Sequence, residues 1–251
     1  EKAAAAKFKR LKDFSKELPS MLNKIQKDLK SREEAMLLYL VYKTGFRIGS
    51  DKDTLAEKQA YGASTLKKEH IKVDGDKITF SFIGKKGVAI RKVTKDQILA
   101  DFFSKRLKRA KLDLFDSTDS DIRDYMATLS KKPFKIKDFR TWLGTSIALK
   151  EISKIKSPPV TKRGYQQARK AVAAVVANVL GNTPSIALKA YIAPEVFSSW
   201  DMSLQTALKK SSDGADIDEW IETVDYDEDE DWENLPETED DPEETEDENG
   251  L

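Results

Sequence analysis

Apolar positions recur at helical spacing through Leu22, Ile25 and Leu29, and the run Ala35-Met36-Leu37-Leu38-Tyr39-Leu40-Val41-Tyr42 continues as an apolar helix up to Gly45. The opening third of the chain is therefore expected to be helical. The period then changes from helix to strand. Ile71 and Val73 alternate with polar residues, Asp74-Gly75 supplies a hairpin turn, and Ile78, Phe80 and Phe82 alternate again. Val88 and Ile90 follow Gly84-Lys85-Lys86-Gly87, so the segment predicts a small three-stranded antiparallel sheet.

Thr94 with Gln97 three residues later has the form of a capping box, and Val93 with Ile98 that of a hydrophobic staple. A helix bearing Ile98, Leu99, Phe102, Phe103 and Leu107 is thus expected to begin at Thr94. Further helices are predicted from about Asp121 to Leu129 and from Ile136 to Ile152, with Ser157-Pro158-Pro159 as a break. Val172, Val175, Val176, Val179 and Leu180 mark a buried stripe on the next helix, which ends at Gly181. Thr183-Pro184 then offers an N-cap and a first-turn proline to a short helix that carries Tyr191 near its end and stops before Pro194. A last amphipathic stretch runs from about Val196 to Leu208, and no internal repeat is evident. The fold class predicted is α+β, mainly α-helical, with one small antiparallel sheet.

Composition changes this picture in one respect. The formal net charge is zero, but the signs are segregated. Residues 213–251 hold 21 of the 44 acidic side chains and no Lys or Arg, so residues 1–212 carry all 44 basic groups against the remaining 23 acidic ones, a net of +21. A body this basic calls for a polyanionic partner, and nucleic acid is the commonest. Two units are expected: a globular body over residues 1–212, and an acidic tail over 213–251 too poor in apolar residues to fold. The tail either is a solvated segment or, with Trp220, Tyr226 and Trp232 among its carboxylates, occupies the basic groove as a DNA mimic. No apolar run approaches the ~20 residues of a membrane span, and no cysteine is present, so an intracellular protein free of membrane is expected.

Familiar catalytic signatures are missing. Gly84-Lys85 lacks the glycine five residues earlier that a phosphate loop requires, since Thr79 stands there. One histidine, His70, cannot build a multi-histidine metal centre, and nothing in the residues assigns it a role. Asp225, Asp227, Asp229 and Asp231 have calcium-loop spacing, but Glu230 replaces the turn glycine and Pro236 the bidentate glutamate. What remains are cations, one asparagine and tyrosines, a set suited to covalent and electrostatic catalysis on a phosphodiester.

The local motifs narrow this further. Phe46-Arg47-Ile48-Gly49-Ser50, Ala60-Tyr61-Gly62-Ala63-Ser64-Thr65-Leu66 leading to His70-Ile71, Phe82-Ile83-Gly84-Lys85, Lys137-Asp138-Phe139-Arg140-Thr141, and Leu180-Gly181-Asn182-Thr183-Pro184 with Tyr191 nine residues after Asn182 occur in this order. Together they resemble the type IB DNA topoisomerases, in their poxvirus-like and bacterial branch, over roughly residues 20–200. The resemblance implies a tyrosine nucleophile, Tyr191, that forms a 3′-phosphotyrosyl bond while the enzyme relaxes supercoiled duplex DNA. It implies that Arg47 and Arg140 clamp the non-bridging oxygens of the scissile phosphate, that Lys85 protonates the leaving oxygen, and that Lys137 assists it. A guanidinium fork suits the first task because it binds phosphate bidentately and stays charged. A free phenol has a pKa of ~10, so a nucleophilic tyrosine needs surrounding cations.

The family pattern has a histidine where this chain has Asn182, an uncharged donor to the same oxygen, which predicts slower cleavage or a shifted pH profile. No cofactor and no ATP are implied, a divalent cation is at most a stimulant, and the expected partner is double-stranded DNA bound by a monomer. The family's smaller N-terminal clamp domain is not evident here. Two alternatives stay open: a tyrosine recombinase, whose pattern puts histidine where Lys137 stands, and a non-catalytic DNA-binding relative, which Asn182 keeps in play.

Overall fold

A computed structural model describes residues 2–49, 54, 59–109 and 112–210, with backbone alone for 2–5 and 207–210. The acidic tail, including its calcium-like spacing, lies outside the described residues. Helix α1 spans Lys2–Asp28 and α2 spans Glu33–Thr44. Strands β1 (Ile71–Asp74), β2 (Lys77–Ile83) and β3 (Ala89–Lys95) follow, then α3 (Gln97–Arg109), α4 (Asp119–Leu129), α5 (Lys137–Ser153) and α6 (Lys162–Leu180). A single helical turn, α7 (Pro184–Ile186), runs into a π-helical turn over Ala187–Tyr191, and α8 covers Ser198–Lys210. The mainly helical α+β class predicted from periodicity is the one observed.

Helix α2 is the centre of the molecule. It is apolar on every side, and Ala35 through Val41 are all buried, which is possible only for a helix surrounded by others. It packs against α1, α4, α5 and β3. Helix α1 begins well before Leu22, because Phe8, Leu11, Phe14 and Leu18 extend the stripe of Met21 and Ile25 upstream. Pro19 inside it lies on the exposed side of the helix.

The sheet has the order β1-β2-β3, antiparallel throughout. Its register pairs Ile71 with Phe80 and Ile83 with Ala89, and the first hairpin turns at Gly75 in the left-handed region. Ile78, Phe80 and Phe82 face inward, where Phe80 and Phe82 meet Phe46 edge-to-face at 5.0 and 5.1 Å. The start of α3 corrects the expectation placed on Thr94. Thr94 is still in the ladder, opposite Ile78, and Asp96 caps α3 instead, its Oδ1 accepting the Leu99 N–H at 3.0 Å. Lys43 and Tyr39 hold that carboxylate, each at 2.9 Å, and draw the helix start downstream. Val93 is 51% exposed and forms no staple. On α6 the buried stripe is Val172, Ala173, Val176, Ala177 and Leu180, while Val175 faces outward.

Among the described residues no single helix is long and apolar enough to cross a membrane. The pair α6 and Pro184–Tyr191 qualifies only when joined across a 97° bend.

Candidate active site

Two helices aim their C-termini at one spot. Helices α2 and α6 both end at a glycine in the left-handed region, Gly45 at φ 69° and Gly181 at φ 67°, which any other residue adopts at a cost. The chain leaves each cap sharply, so Arg47 and Asn182 project just beyond the two helix ends. There an Arg47 guanidinium N–H donates to Asn182 Oδ1 at 3.2 Å, across 135 residues of sequence. The Asn182 Nδ2 group is buried and makes no hydrogen bond within the protein.

The terminal carbonyls of both helices would carry the negative ends of two helix dipoles into the interior without partners. Two cations take them up. Arg140, on α5 and 4% exposed, donates to Gly45 O and, at 3.1 Å, to Leu180 O. Lys92, on β3, donates to Thr44 O and, at 3.2 Å, to Val179 O. Burial first, and then the neighbouring Arg140, lowers the Lys92 pKa to about 8. The Arg140 guanidinium also lies over the Tyr191 ring, 4.8 Å from its centroid.

Arg47, Lys85 and Arg140 line one open cleft, walled by Phe46, Tyr61, Gly84 and Gly181. Lys85 reaches it from the β2–β3 hairpin, whose loop closes through Gly84 N–H to Val88 O at 2.8 Å and a left-handed Lys86. Lys137 opens α5, three residues before Arg140. His70, to which the sequence assigned no role, packs edge-on to Tyr61 at 4.4 Å. Its Nδ1 accepts the Lys67 N–H at 3.0 Å, and burial lowers its pKa.

Tyr191 ends the π-turn and is 8% exposed. Thr183 caps the preceding turn by accepting from Ile186 N–H, as its spacing to Pro184 predicts. The backbone of Tyr191 is fixed from α5: Thr145 Oγ1 donates to Tyr191 O at 3.2 Å and accepts from Ala193 N–H at 3.1 Å. Gly144 permits this approach, because a Cβ there would stand 2.7 Å from Tyr191 O. From α1, Lys7 donates to Ala190 O at 2.7 Å. Arg10, two bonds of 2.9 Å to the buried Asp138, ties α1 to the start of α5. Sequence reasoning did not single out Lys7, Lys92, Gly144 or Thr145. The last two had a legible signal, one helical turn beyond Arg140, whereas the two lysines act through contacts distant in sequence. Among the described residues no group of three His, Asp or Glu side chains is gathered as a metal site would gather them.

The chain is 30% identical over 161 residues to a DNA topoisomerase 1B of Acanthamoeba polyphaga mimivirus, an alignment covering 56% of this chain and 47% of that protein. It is 27% identical over 214 residues to the DNA topoisomerase 1B of vaccinia virus (strain Copenhagen), covering 75% of this chain and 61% of that one. A monkeypox virus DNA topoisomerase I is 26% identical over the same length. The chain thus spans about half to three fifths of the curated relatives it matches. The family described as eukaryotic DNA topoisomerase I, catalytic core, matches residues 1–211, the whole helical body with its sheet, and the chain belongs to that family.

Proposed function

We propose that the chain is a type IB topoisomerase catalytic domain that relaxes supercoiled duplex DNA, without ATP, by transient cleavage of one strand. The observation that carries the proposal is the packing of Arg140 on the Tyr191 ring while the same arginine lines a cleft with Arg47 and Lys85. A phosphate in that cleft meets two guanidinium groups. The unused Nδ2 donor of Asn182 is of the kind a non-bridging oxygen satisfies.

In the cleavage step the Tyr191 phenolic oxygen bonds to phosphorus and the bond from phosphorus to the 5′ oxygen breaks, leaving a 3′-phosphotyrosyl ester. The phenol proton passes to water, and the departing oxygen takes a proton from the Lys85 ammonium with Lys137 in support. The arginines stabilise the charge that grows on the phosphorane. Rejoining reverses each transfer, and the ester conserves the phosphodiester bond energy, so no nucleotide is consumed. The chain acts as a monomer on double-stranded DNA, and a divalent cation serves at most to speed release. The names of its relatives favour this over a recombinase.

The test is relaxation of supercoiled plasmid in EDTA without ATP, comparing the chain with Tyr191→Phe. Relaxation by the parent alone, with a covalent adduct on the 3′ side of the nick, is the expected result. DNA binding without relaxation by either protein would replace the proposal with the non-catalytic reading that Asn182 suggests.

A further inference from the structure

The turn that carries Tyr191 is held by a residue 183 positions upstream of Ala190 in the sequence. A π-turn carries its hydrogen bonds one residue further than an α-helix does, as Ile192 N–H to Ala187 O shows, and this leaves the carbonyls near its end in need of outside donors. Ala190, immediately before Tyr191, has its carbonyl taken by the Lys7 ammonium, 183 residues away. The ammonium lies 4.5 Å from the Phe8 ring centroid, which restricts where it can point. Helix α1 is itself fixed against the base of α5 by the Arg10–Asp138 pair, and Asp138 also accepts the Lys135 N–H at 2.8 Å. So Lys7 is a braced group on a braced helix.

We propose that Lys7 is a positioning residue for the candidate nucleophile: its bond to the Ala190 carbonyl fixes the turn that aims the Tyr191 phenol, and its charge adds to the cationic field around that turn. Lys7 stands among Lys137 and Arg10, with Asp138 as the opposing charge. Burial first, then Lys137 and Arg10, lower its pKa to about 8. A lysine kept in such company, next to the backbone of the nucleophile, is costly unless its bond does something a neutral side chain cannot.

The inference rests on the topoisomerase reading for its catalytic consequence, but the placement of Tyr191 can be measured without turnover. The experiment uses the full chain labelled with ¹³C at the tyrosine ring, as parent, Lys7→Met and Lys7→Arg, with Tyr191→Phe to identify the Tyr191 resonance. Each protein is also followed in single-turnover cleavage of duplex DNA, in DNA affinity and in thermal unfolding. In Lys7→Met the Tyr191 resonance is expected to move while those of Tyr39 and Tyr125 stay. Covalent-adduct formation is expected to slow by about 10- to 100-fold at unchanged DNA affinity, and Lys7→Arg to restore both signals. A Tyr191 resonance and cleavage rate unchanged in Lys7→Met overturn the proposal, as does a loss that arginine does not rescue. A parent that forms no adduct while its Tyr191 resonance still responds to Lys7→Met leaves the positioning role standing and removes the topoisomerase reading.

Discussion

Gly144→Ala separates the placement of the candidate nucleophile, Tyr191, from the stability of the fold. The added Cβ would meet Tyr191 O at 2.7 Å, Tyr191 Cβ at 3.0 Å and Leu180 Cδ1 at 3.3 Å. The leucine tip can rotate away, but the Tyr191 backbone cannot. Restoring ordinary contact at 3.4 Å requires the turn to retreat by about 0.7 Å. Helix α5 will not give that distance, because Phe139, Arg140 and Thr141 are buried along it and Arg140 is bonded to two helix ends. The turn moves instead, stretching the 3.2 Å bond from Thr145 to Tyr191 O. Overpacking of this kind costs ~1–3 kcal/mol, and the higher helix propensity of alanine returns up to ~1 kcal/mol. The net loss of stability is therefore modest. Misplacing a reacting group by ~1 Å costs up to ~100-fold in rate, so cleavage is expected to fall by roughly 30- to 100-fold while the protein stays folded. Single-turnover adduct formation, on a duplex whose cleavage releases a short 5′-hydroxyl strand, reads the first quantity and urea unfolding the second. A Gly144→Ala protein that cleaves within about twofold of the parent would refute the claim that Tyr191 is fixed by its contact with α5.

Two further outcomes follow from the cation frame. Asn182→His is expected to speed cleavage and to introduce a pH dependence near the ordinary histidine pKa of ~6.5, because a protonated imidazole adds charge where the amide offers only a donor; no gain at pH 6 would count against a phosphate-binding role for this position. For Lys92 the pKa is about 8 in the folded protein and 10.5 in its absence of structure. Between those values the unfolded chain binds the extra proton, so stability contributed by this group rises with pH. Parent and Lys92→Met, compared by urea unfolding at pH 7.5 and 9.5, are expected to diverge in the parent's favour by about 1–2 kcal/mol, and parallel curves would show that the Lys92 pKa is not depressed.

The legibility of the chain in its sequence follows the reach of the interactions involved. Helix α2, the sheet and the glycine caps were legible because periodicity and left-handed turns are local signals. The start of α3 departs from its local signal because Thr94 has the right spacing for a cap but is claimed by its ladder with Ile78, while Asp96 is drawn into the cap by Lys43 and Tyr39 from α2. The candidate site residues were legible only as motifs. That Arg47 and Asn182 touch, or that Arg140 stacks on Tyr191, depends on how α2, α5 and α6 cross. Lys7 and Lys92 look like surface lysines in the sequence, and their partners are backbone carbonyls, which leave no mark on residue identity.

The bond from Lys7 to Ala190 also sets an order of events during synthesis. Arg47, Lys85, Lys137, Arg140 and Asn182 all precede Tyr191, and the tyrosine's turn is closed by the first helix and by Ala193 just beyond it. A chain emerging from the ribosome presents its earlier residues first, so the basic residues of the cleft are in place before the turn that carries Tyr191 can close. On the proposed reading, the residues that would hold a phosphate are made first, and strand cleavage becomes possible only once Lys7 and the turn at Ala190 have met.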